Sequence, residues 1–247
     1  MSGHSKWNNI KRKKEKTDGA RAKIFTKIGR ELAVAVKEGG SADPAANSKL
    51  KDVIAKAKAN NVPNDNIERI IKKAAGEGNS NAYESITYEG YGPAGIAIMV
   101  EVATDNKNRT VAEVRHLFTK HGGSLGTDGS VSWMFDRKGV ITVDKAAYTE
   151  DQMMEVAMEA GADDVIDDED VWTLQTAMAD FAAVRDALES AGVTMQSAEL
   201  AMVPQNLVAV DAEAAQKVIR LMEALDDNDD VQNVYANADF PEDRDMD

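Results

Sequence analysis

Cysteine is absent from these 247 residues, which excludes disulfides, thiolate metal sites and a cysteine nucleophile, and suits a reducing compartment. Histidine occurs only three times, at His4, His116 and His121, without the spacing of a metal site. His116 and His121 stand five apart, on different faces of a helix. No apolar run approaches the roughly 20 residues needed to span a bilayer. The N-terminus lacks an apolar stretch behind its basic residues, so a secretory signal is not expected, and Glu15 and Asp18 interrupt the positive run that a transit peptide would keep. The expectation is a cytoplasmic protein with no membrane partner, no cofactor and no metal.

Charge is plentiful and unevenly divided. Residues 1–73 hold 18 Lys and Arg against 8 Asp and Glu, while the other 174 hold 11 against 35, in a chain of net charge −14. A folded domain gains little by concentrating like charge, so the division points to contact with a polyanion. Nucleic acid is the polyanion expected. The acidic remainder would weaken indiscriminate binding and leave the basic end as the docking face.

The hydrophobic period then assigns elements. Residues 1–17 read as a mobile basic arm with one aromatic, Trp7. Asp18 is an N-cap candidate for a helix to about Lys37, stopped by Gly39-Gly40, with Ile24, Ile28, Leu32 and Val36 at every fourth position. Asp43-Pro44 is expected to open a second helix, with Leu50, Val53, Ile54 and Ala57 inside, and a third has Ile67, Ile70 and Ile71 inside. Gly76 to Asn81 is a polar linker, after which the period changes. Strands are expected over 85–91, 96–103 and 130–135, and a helix over 108–120. From Gly139 the order strand, helix, strand, strand, helix, strand matches a ferredoxin-like unit. A helix over 212–225 and a strand over 231–236 are left, and they complete the middle domain if the ferredoxin-like unit is an insertion. The expected fold class is α+β: a basic arm plus helical domain over 1–78, a discontinuous α/β middle domain of 82–136 with 204–240, and an inserted ferredoxin-like α/β domain over 137–203.

Four segments within this frame, GHSKWNNIKRKK (3–14), KAKANNVPNDNIERIIKKA (56–74), YEGYGPAGIAIMVEVATDNKNRT (88–110) and FTKHGGSLGTDGSVSWMF (118–135), closely resemble the YebC family. The resemblance implies a three-domain cytoplasmic protein with an N-terminal helical domain and two α/β domains. It further implies a DNA-binding transcriptional regulator, the traditional description of the family. Related mitochondrial members act as translational activators, and some bacterial members look like ribosome-associated factors that relieve stalling at proline-rich stretches. A ribosome or ribosomal RNA is therefore the alternative partner. A monomer is favoured.

The candidate nucleic-acid-binding residues follow from the charge. In the arm, Lys6, Lys11, Arg12, Lys13, Lys14 and Lys16 are expected to neutralise phosphates, with Trp7 free to stack on a base. The competing reading is a solvated tail. Arg21, Lys23, Lys27, Lys56, Lys58 and Arg69 extend the footprint over the helices, beside Arg30, although each singly could be an ordinary polar-face residue. Lys107 and Arg109 stand at a helix N-terminus, where a phosphate fits, but Asp105 or Asn106 as a cap accounts for the same spacing. GGSLGTDGS (122–130) lacks the Gly-Lys-Ser/Thr ending of a P-loop and follows a helix, so it reads as a flexible turn. No helix presents Asn, Gln or Arg as a base-reading recognition helix would, which favours backbone or shape recognition. The acidic clusters Asp163-Asp164, Asp167 to Asp170 and Asp226 to Asp230 read as solvated turns. The last fails as an EF-hand, with Val231 where glycine is required and Asn237 where glutamate is. Met153, Met154, Met158 and Met222 read as core. No carboxylate pair is distinguished by its surroundings, and no enzymatic activity is expected.

Overall fold

Apolar residues recurring every three to four positions build four helices before the first strand: α1 (Gly3–Lys14), α2 (Asp18–Glu38), α3 (Ser48–Ala59) and α4 (Asn64–Ala75). The chain continues through β1 (Glu84–Tyr91), β2 (Ala97–Thr104), α5 (Lys107–Lys120), β3 (Ser124–Leu125), β4 (Phe135–Asp144), α6 (Glu150–Ala160) and β5 (Asp164–Asp168). It ends with β6 (Val171–Ala177), α7 (Phe181–Ser190), β7 (Met195–Pro204), β8 (Val208–Ala209), α8 (Ala212–Asp226), β9 (Val231–Ala236) and β10 (Ala238–Asp239). This is a computed structural model that describes residues 3–14, 18–76, 83–168 and 170–241. The described residues fall into two compact units, one of 9–132 with 216–234, the other of 133–215 with the terminal segments.

In the first unit the apolar stripes of α2, α3 and α4 meet as expected: Ile28, Leu32, Val36, Leu50, Val53, Ala57 and Ile67 form one buried cluster. Buried Asn47 fixes the turn between α2 and α3. Its side-chain oxygen accepts from the Leu50 N–H at 3.0 Å, and its amide nitrogen donates to the carbonyls of Ala35 and Ser41, both at 2.8 Å. Beyond the helices, β1 and β2 form an antiparallel hairpin whose turn is left-handed at Ala94 (φ 57°) and Gly95 (φ 72°). The sheet order is β3-β1-β2-β9, so β9, from near the end of the chain, pairs with β2. Gly90 admits the neighbours of β1, since a Cβ there would lie 2.6 Å from the Ser124 carbonyl oxygen and 2.8 Å from the Phe118 ring of α5.

The second unit carries β4-α6-β5-β6-α7-β7 in the antiparallel sheet order β5-β6-β4-β7, which is the ferredoxin-like arrangement. Both helices lean on Ile141, Val143, Trp172 and Leu174 through Met153, Ala157, Phe181, Val184 and Leu188. Thr149 starts α6 with a capping box to Gln152, and the Trp172 indole N–H donates to the Tyr148 carbonyl at 3.1 Å.

Three expectations are corrected. The first concerns the mobile arm, which is helical over Gly3–Lys14. This stretch holds no proline and no glycine beyond its first residue, and Trp7, only 3% exposed, supplies the apolar anchor that a short helix needs. The second concerns 130–135: Ser132–Met134 is a single 3₁₀ turn, because the Glu89 carboxylate takes the amides that a strand would pair. The third concerns methionine. Met153 and Met222 are buried, whereas Met154 (43%) and Met158 (72%) form an exposed i, i+4 pair, since α6 buries only the narrow face of Met153 and Ala157.

Candidate nucleic-acid interface

The helix α1 changes the standing of the arm. Trp7 (3% exposed) and Lys6 (4%) are buried, so neither is presented to a nucleobase or a phosphate. An indole leaves water readily, and the helix gives it a direction in which to do so. Arg12, Lys13 and Lys14 fall within α1, but their side chains lie outside the described residues, as does Lys16 altogether.

Five of the candidate cations are held by carboxylates. At the end of α8, Asp226 faces Lys11 at 3.6 Å and Lys27 at 2.8 Å, and Asp227 faces Lys23 at 3.0 Å. The Lys27 ammonium also donates to the Asp226 main-chain carbonyl at 2.7 Å, closing the helix end. Burial pulls the Lys27 pKa below its ordinary value; Asp226 opposes that pull, and neighbouring Lys11 and Lys23 add to it. Lys56 pairs with Glu31 at 2.9 Å. Arg109 lies between Asp105 at 3.0 Å and Asp230 at 2.8 Å, and both raise its pKa. For Arg109 the cap accounts for the structure: Asn106 accepts its backbone N–H at 3.1 Å while its guanidinium is spent on carboxylates.

Asp230 corrects the solvated-turn expectation for Asp226 to Asp230. It is only 3% exposed. One carboxylate oxygen accepts from the Thr110 hydroxyl at 2.6 Å and from Arg109, and the other is held by Arg30 of α2. The Arg30 guanidinium also stands over the Tyr83 ring at 5.5 Å. Sequence reasoning missed this hub because its partners lie 120 and more residues away, beyond any local spacing rule.

A second missed residue is Glu89. It is 7% exposed, and its two oxygens accept from the backbone N–H groups of Gly129, Val131 and Ser132, each at 2.8 Å. Gly126 N–H donates to the Glu89 carbonyl at 2.8 Å. The glycine-rich loop is therefore already wrapped around an internal anion, and these amides are turned inward.

Other cations remain open. Arg21, Lys58 and Lys107 are exposed and have no acidic partner among the described residues, and Arg69 bonds only the neutral Asn66 side chain, at 3.0 Å. Lys37, Lys51 and Lys72 share that condition. Lys51 and Lys58 are seven apart on α3, and Arg69 and Lys72 are three apart on α4, so each pair shares a helix face. Among the described residues, open cations therefore stand on the outer faces of α3 and α4. Among the described residues no group of His, Asp and Glu is arranged to hold a metal, and no helix is long and apolar enough to cross a membrane.

A helical module with open cations, followed by a four-stranded sheet and a ferredoxin-like unit, defines an α+β protein. The chain belongs to the TACO1/YebC family: residues 5–77 match the TACO1/YebC protein N-terminal domain and residues 83–238 match the TACO1/YebC second and third domain. It is 61% identical to a probable transcriptional regulatory protein of Agathobacter rectalis, over 96% of this chain and 99% of that protein. A protein of the same description from Clostridium botulinum is 56% identical, with 98% of each chain covered. The crystal structure of a conserved hypothetical protein, Aq1575, from Aquifex aeolicus is 45% identical, with a TM-score of 0.85, covering 92% of this chain and 93% of that one.

Proposed function

We propose that this protein is a non-enzymatic, cytoplasmic regulator of gene expression that docks on the backbone of DNA, acting in transcription as its relatives' descriptions suggest. The reading divides the chain into a docking domain (1–78), a discontinuous middle domain (82–136 with 204–240) and an inserted domain (137–203). One observation carries it: Arg21, Lys37, Lys51, Lys58, Arg69 and Lys72 are open cations on a helical module, in a chain whose net charge is −14. Acidic proteins have no general use for such a surface, whereas a polyanion contact requires one. The absence of a base-reading helix suits recognition through phosphates and groove shape.

The test is binding to duplex DNA as salt is varied. Contact through six cations predicts a log–log slope near −5, and K58Q/R69Q should make it shallower by about 2. A flat salt response removes the proposal. Ribosomal RNA competing away DNA at equal phosphate concentration would move the target to the ribosome.

A further inference from the structure

Lys11, Lys23 and Lys27 are cations of the kind a phosphate contact uses, yet they are already engaged. Their occupant is the C-terminal end of α8, where two consecutive carboxylates, Asp226 and Asp227, meet the negative pole of the helix dipole. No basic residue stands in the last turn of α8. Placing Asp226 and Asp227 there works against the dipole. The compensation comes from α1 and α2 instead: Lys27 reaches both the Asp226 carboxylate (2.8 Å) and its main-chain carbonyl (2.7 Å), and Lys23 reaches Asp227 (3.0 Å). A helix end that gathers two carboxylates and a lysine-bound carbonyl at its negative pole presents what a nucleic-acid backbone presents, namely closely spaced electronegative oxygens.

We infer that the α8 terminus is an internal phosphate mimic that occupies Lys11, Lys23 and Lys27 in the free chain and is displaced from them by nucleic acid. This rests on the nucleic-acid-docking reading above and adds its regulation. Two features make displacement feasible. The outer pair at the tip is not sealed, since the Lys23 and Asp227 side chains are 36% and 52% exposed, while Lys27 and Asp226 lie deeper. The tip is also tethered rather than loose, because Asp230, four residues on, stays locked by Thr110, Arg109 and Arg30. The mimic raises the threshold for binding. A short or weakly charged ligand cannot displace it, whereas a duplex that engages the open cations of α3 and α4 gains the three lysines as well.

The experiment compares full-length D226N/D227N with D229N, whose carboxylate is exposed two residues beyond the tip and has no partner among the described residues. Binding to a duplex DNA oligonucleotide is measured from low to moderate salt, with a thermal melt of each protein. Freeing three lysines should steepen the log–log slope by between 2 and 3 and tighten binding by about tenfold at low salt, while D229N shifts affinity only slightly. D227N alone, at the more exposed carboxylate, should give an intermediate slope if the double variant melts early. Should the wild type bind and D226N/D227N and D227N bind no better than D229N, with the same slope, the mimic is refuted and docking stands. Tight binding by D226N/D227N where the wild type shows none would support the mimic. If no protein binds at any salt, both readings fail.

Discussion

Replacing Asp230 with alanine is expected to lower the stability of the unit formed by 9–132 and 216–234 by about 3 kcal/mol, the lower end of the range for breaking a buried ion pair. The Asp230 side chain is 4% exposed, and Arg30, at 16%, loses its only carboxylate partner among the described residues. Arg109 softens the loss because it is 41% exposed and keeps Asp105. The threonines soften it further, since the Thr110 hydroxyl still meets Thr104 at 2.7 Å and the Asn106 carbonyl at 3.1 Å. Urea unfolding of wild type and D230A measures the difference. It should also depend on pH. Burial alone would raise the Asp230 pKa, but hydrogen bonds from Thr110 and Arg109 and the charge of Arg30 outweigh it and hold the group below its ordinary value. A depressed carboxyl contributes fully above the unfolded pKa of about 4 and loses that contribution as pH falls through the lower folded value. The gap between wild type and D230A should therefore be constant near neutrality and close in acid. A gap that widened in acid would contradict the assignment.

What the sequence conveyed and what it hid divide along contact distance. The cores of α2, α3 and α4 were legible from the spacing of Ile28, Leu32, Leu50, Val53 and Ile67, because helical period reports a buried face directly. The ferredoxin-like order was legible for the same reason, the period switching between two and three to four along 137–203. The charge division was legible as a count, but its meaning was not. Seeing that Lys11, Lys23 and Lys27 are engaged required knowing that Asp226 and Asp227, some two hundred residues later, come back to meet them. Trp7 misled in a related way: one aromatic in a basic segment has no local partner, and only the tertiary fold provides one. Glu89 was invisible because an acidic residue in an alternating strand reads as its solvent face, whereas this one turns onto the backbone of a loop forty residues on.

Glu89→Ala is expected to unfasten the loop 126–132 at a cost of about 3 kcal/mol while leaving nucleic-acid affinity unchanged. Three backbone N–H groups lose a charged acceptor, and such bonds contribute roughly 1.5–3 kcal/mol each. The contributions are unequal. Gly129 is exposed and its amide is rehydrated cheaply, whereas Val131 is fully buried and its amide is left without an acceptor, so Val131 and the half-buried Ser132 dominate. Amide hydrogen exchange reads this directly: Gly129, Val131 and Ser132 should be protected in the wild type and exchange rapidly in E89A, with Glu89→Gln between them because one acceptor oxygen survives. Burial would raise the Glu89 pKa, but the N–H donors of Gly129, Val131 and Ser132 prevail and hold it below the ordinary glutamate value. Protection should accordingly be complete above about pH 5 and fail as pH falls through that lowered value, a loss that E89A cannot show. The binding arm gives the experiment its functional edge. If the glycine-rich loop cradled phosphate, releasing its amides from an internal carboxylate would strengthen binding to DNA. With those amides turned inward and the open cations on α3 and α4, E89A should instead bind with the wild-type affinity and salt slope.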